Sequence, residues 1–224
     1  MFGDFLPPAI VDLLIEAALD TLYIVGLSGL IGTLLGLPLG VFLATSRSGE
    51  LFAAPWTNRI LGLVVNAARS TPFIILVVAI IPFTRFVVGT SIGTSAAVVP
   101  LTVAATPFIA RVIEAAIRAV DQGLIEAARA MGATPLQIVR KVLLPEALPA
   151  ITLALTLTAV SLIGYSAMVG AVGGGGLGDI GIRFGYQRFM PDVMATVVVI
   201  LILLVQGVQS FGDFLARRFD KRGK

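Results

Sequence analysis

The 224-residue chain contains neither histidine nor cysteine. That removes His-based triads, disulfide frameworks, thiolate metal sites and imidazole ligation of zinc or haem. A nucleotide-cradling P-loop needs G-x-x-x-x-G-K-[ST]. The only Gly–Lys pair is Gly223–Lys224 at the very end of the sequence. No catalytic residue and no metal ligand set is therefore expected, and any hydrolysis of ATP must be done by another polypeptide. Two other groups of residues have types and spacing worth attention. One is a set of hydroxyls and a thioether on an apolar run: Tyr165, Ser166 and Met168, with Thr152, Thr156 and Ser161. The other is a charged, alanine-rich segment spanning residues 111–149.

The elements that position these groups follow from composition. The chain is 57% hydrophobic and only 13% charged, against about 25% charged in soluble domains. Its mean hydropathy is +1.00. A soluble fold of this size cannot bury so much apolar surface, so disorder, coiled coil and ordinary globular enzymes are excluded. The runs 21–46, 86–110, 147–178 and 193–212 carry no charge, and 60–84 is interrupted only by Arg69. A membrane-spanning helix needs about 20 apolar residues. The expectation is one all-α integral membrane domain over 1–224, with five spans near 21–45, 60–84, 93–111, 150–171 and 193–215. Four spans remain the alternative if 60–84 only re-enters the membrane. A β-barrel is disfavoured because the runs do not alternate with period two. With five spans, 13 of 16 Lys and Arg fall on one side, leaving Arg85, Arg183 and Arg188 on the other. Cytoplasmic loops are enriched in Lys and Arg, so the N-terminus is expected outside and the C-terminus in the cytoplasm. No basic region precedes the first apolar run, which is therefore not read as a cleaved signal peptide.

Within span 1, Ser28, Gly32, Gly36 and Gly40 recur every four residues, a stripe that favours close helix packing over a pore lined by backbone. Pro72, Pro82, Pro100 and Pro107 are candidate bending points or plain helix ends. The connection 112–149 favours helix by composition. Gly132 suits a left-handed helix end. Thr134, Pro135 and Gln137 then form a capping box with proline at the first helical position. Pro145 should stop the second helix at Leu144. The expected result is two short helices joined by a tight corner, projecting as a knob. An amphipathic hairpin on the membrane surface is the plainer alternative.

Glu126–Ala127–Ala128, three residues, Gly132, nine residues, then Val142, Leu143, Leu144 and Pro145 resemble the EAA loop of ABC importer permeases. The family pattern has isoleucine where this chain has Val142. The resemblance implies the type I importer permease fold and a coupling helix that docks on a separate ATPase subunit. Glu126, Ala127, Ala128, Gly132, Ala133 and Pro145 would be its coupling residues. Ala127 and Ala128 would let the helix seat deeply, and Glu126 would meet a cation on the partner or within the loop.

Further stretches are similar to permeases of methionine-uptake ABC systems. They include Arg69–Ile74, Ile81–Arg85, Val88–Gly93, Pro107–Arg111, Gly164–Met168 and Gly175–Gly178. This resemblance implies a homodimer in the bacterial inner membrane, two ATPase copies that bind ATP and magnesium, and an external substrate-binding protein. It implies methionine or related amino acids as cargo; another small polar substrate is the alternative. No nucleic-acid partner is implied, and lipid surrounds the spans. Tyr165, Ser166 and Met168 are then candidates for the translocation path, with Met168 as a soft gate; hydroxyls bonded back to their own helix are the plainer reading. The Gly173–Gly178 run is a flexible connection, an external gate or a surface for the binding protein. Asp179, Arg183 and Arg188 either meet charges on that protein or lie in water. A passive channel or secondary carrier is disfavoured, because no Asp or Glu lies within the five apolar runs.

Overall fold

The computed structural model describes residues 7–219. Lys221, Arg222 and Lys224, which entered the count of basic residues, lie outside them. The described residues form helices and short connections, with no strand among them. Four unbroken helices are long and apolar enough to cross a membrane, or up to five crossings if a bent pair counts as one.

Helix α1 (Pro8–Thr45) begins well before the expected first span, with Pro8 in its first turn. Its added N-terminal part carries Asp12, Glu16 and Asp20. Helices α2 (Pro55–Ser70) and α3 (Phe73–Ala79) meet at 102°. The expected span 60–84 is therefore broken at Pro72, one of its candidate bending points. The cause is local: Pro72 donates no hydrogen bond and holds Thr71 extended, at ψ 125°. A second break follows at once, and α4 (Ile81–Val88) starts with Pro82 in its first turn. Helix α5 (Thr94–Arg118) passes seven residues beyond the expected limit at 111. It carries Glu114 with it, an acid inside a candidate spanning helix.

The largest departure lies after the corner at Gly132. Helices α6 (Gln122–Ala130) and α7 (Pro135–Ile138) form as expected. Pro145 does not end the second one. Val139–Leu143 widen into a π turn, and the Leu144 N–H donates to the Val139 carbonyl five residues back. The wider turn makes room for the proline ring and absorbs its missing donor. Helix α8 (Leu144–Gly170) then continues without interruption, so one helix runs from Pro135 to Gly170. The knob is thus α6 plus a helical extension of a spanning segment.

Helices α1 and α5 share the most extensive packing. A Cβ on Gly36 would lie 2.8 Å from Ile109 Cγ2, and one on Gly40 would lie 2.6 Å from the Ala110 carbonyl oxygen. Ile109, Ala110 and Ile113 are completely buried there. The stripe of small residues is a packing surface, as its spacing indicated. Helix α10 (Pro191–Phe219) packs Gly212 directly against Thr156 of α8 and turns Val199, Ile202 and Leu203 outward.

The glycine run is not a loose connection. After Gly175, the short helix α9 (Gly176–Ile180) and a π turn over Gly181–Tyr186 fold back among α1, α8 and α10. Gly178 lies against the Ala167 backbone, closer than any side chain would allow. The Leu177 N–H donates to Thr21 Oγ1 at 2.9 Å, and Leu177 is fully buried. The fold thus has an arginine-rich end, where α1 and α5 finish, and a glycine-rich end. At the latter, the Gly93 N–H bonds the Gly173 carbonyl at 2.9 Å.

Candidate coupling hairpin and central cleft

Helix α6 is set at both ends by local chemistry. Asp121 caps its start, its carboxylate accepting from the Gly123 N–H at 2.7 Å. At its far end Gly132 takes φ +78°. The Gly132 N–H donates to the Arg129 carbonyl at 2.9 Å, and the Ala133 N–H to the Ala128 carbonyl at 3.0 Å. This pair of bonds is a Schellman motif, with glycine at the left-handed position. Thr134 and Gln137 complete the expected capping box: Gln137 Oε1 accepts from the Thr134 N–H at 2.9 Å, and Thr134 Oγ1 from the Gln137 N–H at 3.4 Å.

The six coupling candidates separate by role. Ile125 and Ala128 point into the protein's own core, and Ala133 packs beside them. Ala128 therefore holds the hairpin to this chain and is not available to seat in a partner's groove. Glu126, Ala127 and Gly132 are exposed, and Pro145 lies at the root of α8. Leu124, Met131 and Leu136 are exposed beside Ala127. They make the hairpin's outer face apolar; the EAA pattern did not single them out, although Leu124, Ala127 and Met131 share one helical face by their spacing.

Beneath the hairpin a buried carboxylate gathers three arginines. Glu114 has 6% side-chain exposure and meets Arg111 at 2.5 Å, Arg47 at 3.1 Å and Arg118 at 3.7 Å. Arg111 also donates to the Gly62 carbonyl at 2.9 Å. One acid therefore ties the end of α1 and the middle of α2 to α5. A charge this buried persists only when paired and hydrogen-bonded. The signal present in sequence was the i, i+3, i+4 spacing of Arg111, Glu114 and Arg118.

The three path candidates do not converge. Tyr165 is half-buried and stacks on Phe73, with ring centres 4.4 Å apart. Ser166 is buried and donates to the Ile163 carbonyl at 2.7 Å. Met168 is exposed and lies outside the cavity that Tyr165 lines. Thr152, Thr156 and Ser161 donate to Leu148, Thr152 and Leu157 carbonyls, the bland reading for hydroxyls in an apolar helix. Tyr165 does line a cleft of about 180 Å³ between α2, α3, α5 and α8, together with Arg69, Thr71, Phe73, Phe108 and Ser161. At the glycine-rich end a wider hollow of about 600 Å³ carries Glu16, Asp20, Asp179 and Arg183. Arg183 is bonded to Asp179 within the chain, and Arg188 lies over the Phe184 ring at 4.5 Å.

Hairpin, packed helices and motif spacing meet in one known family. The profile described as "Binding-protein-dependent transport system inner membrane component" matches residues 36–223. The chain belongs to that family. A Vibrio cholerae protein described as a probable D-methionine transport system permease, MetI, is 57% identical over 211 residues, 94% of each chain. The Pasteurella multocida protein of the same description is 46% identical over 215 residues, 96% of this chain and 99% of that one. Among solved structures, a chain of the MetNI methionine ABC transporter in inward-facing conformations superposes with a TM-score of 0.95 at 51% identity. The superposition covers 96% of this chain and 100% of that one. The fold is therefore that of a type I ABC importer permease, and the chain is a permease subunit.

Proposed function

We propose that this chain is the membrane-spanning subunit of an ATP-driven importer that carries methionine or closely related amino acids into a bacterial cytoplasm. Two copies pair with two copies of a separate ATPase, which binds ATP and magnesium. An external binding protein delivers the substrate. The observation that carries this reading is the Schellman-closed hairpin at the arginine-rich end, which exposes Glu126 and, on its apolar outer face, Ala127 with Leu124 and Met131. Likeness to the methionine permeases along nearly the whole chain supports the choice of cargo. The arginine-rich end faces the cytoplasm and the glycine-rich end faces outward, as the bias of basic residues requires. Closure of the ATPase pair draws the two hairpins together, and the continuous helix Pro135–Gly170 carries that movement from the hairpin into the membrane.

The test is mild detergent extraction from native membranes and identification of what co-elutes. A complex of this chain with a P-loop ATPase, whose ATP hydrolysis responds to methionine and its binding protein, is the expected result. A chain repeatedly free of any ATPase overturns the reading. Within such a complex, Glu126→Ala should lower methionine uptake while leaving the chain in the membrane; uptake intact in that variant removes Glu126 from the coupling surface.

A further inference from the structure

Arg69 is a cation without an anion. It lies in the last turn of α2 beside the 102° break, an exposed residue that also lines the central cleft. It forms no ion pair among the described residues. The arginines packed against α5 nearby are compensated differently: Arg47, Arg111 and Arg118 share Glu114. Arg69 has only the face of Phe108, 5.5 Å from its guanidinium carbon, and a ring quadrupole replaces a counter-charge only in part. An ionisable group among apolar spanning segments is expensive to keep and marks a site by default.

The space beside Arg69 has complementary chemistry along its length. Phe73 and Tyr165 stack at 4.4 Å with their planes 13° apart, and with Leu76 they give the cleft an apolar, aromatic wall. Ser161 and Thr71 supply hydroxyls whose protons are committed to the Leu157 and Ala67 carbonyls. Their oxygens keep lone pairs that can accept but have no proton to offer. No acid lines the cleft. At about 180 Å³ it is smaller than the roughly 300–1,000 Å³ of drug-sized pockets, so it fits one small molecule and not a peptide.

We propose that this cleft is a substrate site within the permease itself, built for a free α-amino acid with an uncharged, apolar side chain. The inference rests on the importer reading above and deepens it. Arg69 takes the carboxylate through its planar fork. The hydroxyl oxygens of Thr71 and Ser161 accept from the ammonium. The Phe73–Tyr165 pair receives the side chain, and a thioether suits it because sulfur packs well against aromatic rings. The same set excludes others: a basic side chain meets Arg69 and finds no acid, and an acidic one finds no second cation.

The test uses the assembled permease–ATPase complex in detergent, without the binding protein. The probe is a methionine analogue whose thioether is replaced by a photoreactive diazirine; after irradiation the chain is digested and the labelled peptides are mapped. Labelling of the peptides that hold Phe73, Phe108 or Tyr165 is expected, displaced by methionine but not by its methyl ester or by arginine. Arg69→Gln should cut that labelling about tenfold or more, the weight of a charge-assisted hydrogen bond, with Arg69→Lys intermediate. Co-elution of the ATPase with each variant shows that it is assembled. If a variant falls apart, the competition pattern of the wild type decides: an ester that competes as well as methionine overturns the site. A wild-type complex that imports methionine once reconstituted into lipid vesicles with the binding protein, but carries no label in the cleft, or label that methionine does not displace, overturns this inference alone. A complex that imports no methionine in those vesicles overturns the importer reading as well.

Discussion

Gly132 and Gly40 both lack a Cβ, for different reasons. Gly132 needs φ +78° and has open space around it, so an added methyl meets nothing within 4 Å. The cost of alanine there is conformational, about 1–2 kcal/mol. Gly132→Ala should insert and assemble normally, lose only that much stability and yet lower uptake per ATP hydrolysed, because the corner that aims the hairpin is altered. Gly40 has an ordinary helical conformation but no space, and alanine there must push α1 away from α5. Gly40→Ala should lower the melting temperature clearly, while Gly26→Ala, with nothing within 4 Å, should leave it unchanged. Equal effects of these two substitutions in a thermal-shift measurement would contradict the packing assigned to the stripe. Glu114→Gln keeps the shape but leaves three arginines facing one another. Breaking a buried pair costs about 3–5 kcal/mol. Arg47 and Arg118 are themselves 45% and 41% exposed, so a loss of about 2 kcal/mol is expected, visible as easier denaturation of the purified chain. Gly132 and Thr134 were legible in the sequence because helix caps are local chemistry. Arg47 reaching Glu114 was not, because that pair is 67 residues apart and only the packing of α1 on α5 brings it together. Ala128 turning inward was equally hidden, since the motif gives a spacing and not the direction of the core.

At the scale of elements, the apolar runs located the helices, and Pro72 bends the chain as one of the offered bending points, but Pro145 does not end its helix. Two prolines of the same type behave in opposite ways. Pro72 breaks the chain by 102°, because Thr71 before it takes the extended conformation that proline favours. Pro145 does not break it, because the π turn at Val139–Leu143 accommodates the ring. No residue in that turn signals the choice; it is made by Ile138, Val139 and Leu143 all being buried in the core, which holds the helix on course. A π turn rotates everything before it relative to everything after it. Pro145→Ala restores an N–H and permits a regular α-helix, so the hairpin should be re-aimed relative to α8 without unfolding. The expected phenotype is normal abundance, retained basal ATP hydrolysis in the complex and reduced methionine uptake. Full uptake in Pro145→Ala would mean that the π turn has no part in coupling.

For the molecule as a whole, the two ends of α5 constrain the path of the chain. The end of α1 lies at the arginine-rich end, where Arg47 meets Glu114. The start of α5 lies at the other, where Gly93 bonds Gly173. Residues 48–92 connect those ends, so on the reading proposed above the broken α2–α4 segment makes a crossing despite its bends, giving five crossings in place of four. The proposed orientation, with the arginine-rich end in the cytoplasm, adds the direction. Both parts are testable together because the chain has no cysteine of its own, so a single introduced thiol reports unambiguously. Trp56, Thr90, Arg129 and Gln187 are exposed positions at the successive ends. A membrane-impermeant maleimide applied to intact spheroplasts should label Thr90→Cys and Gln187→Cys. Trp56→Cys and Arg129→Cys should react only after lysis. Labelling of Thr90→Cys from the inside, with Gln187→Cys still labelled from the outside, would mean that the bent segment enters and leaves by the same face. The contact between Gly93 and Gly173 would then have to be wrong, because it places those two positions on one side.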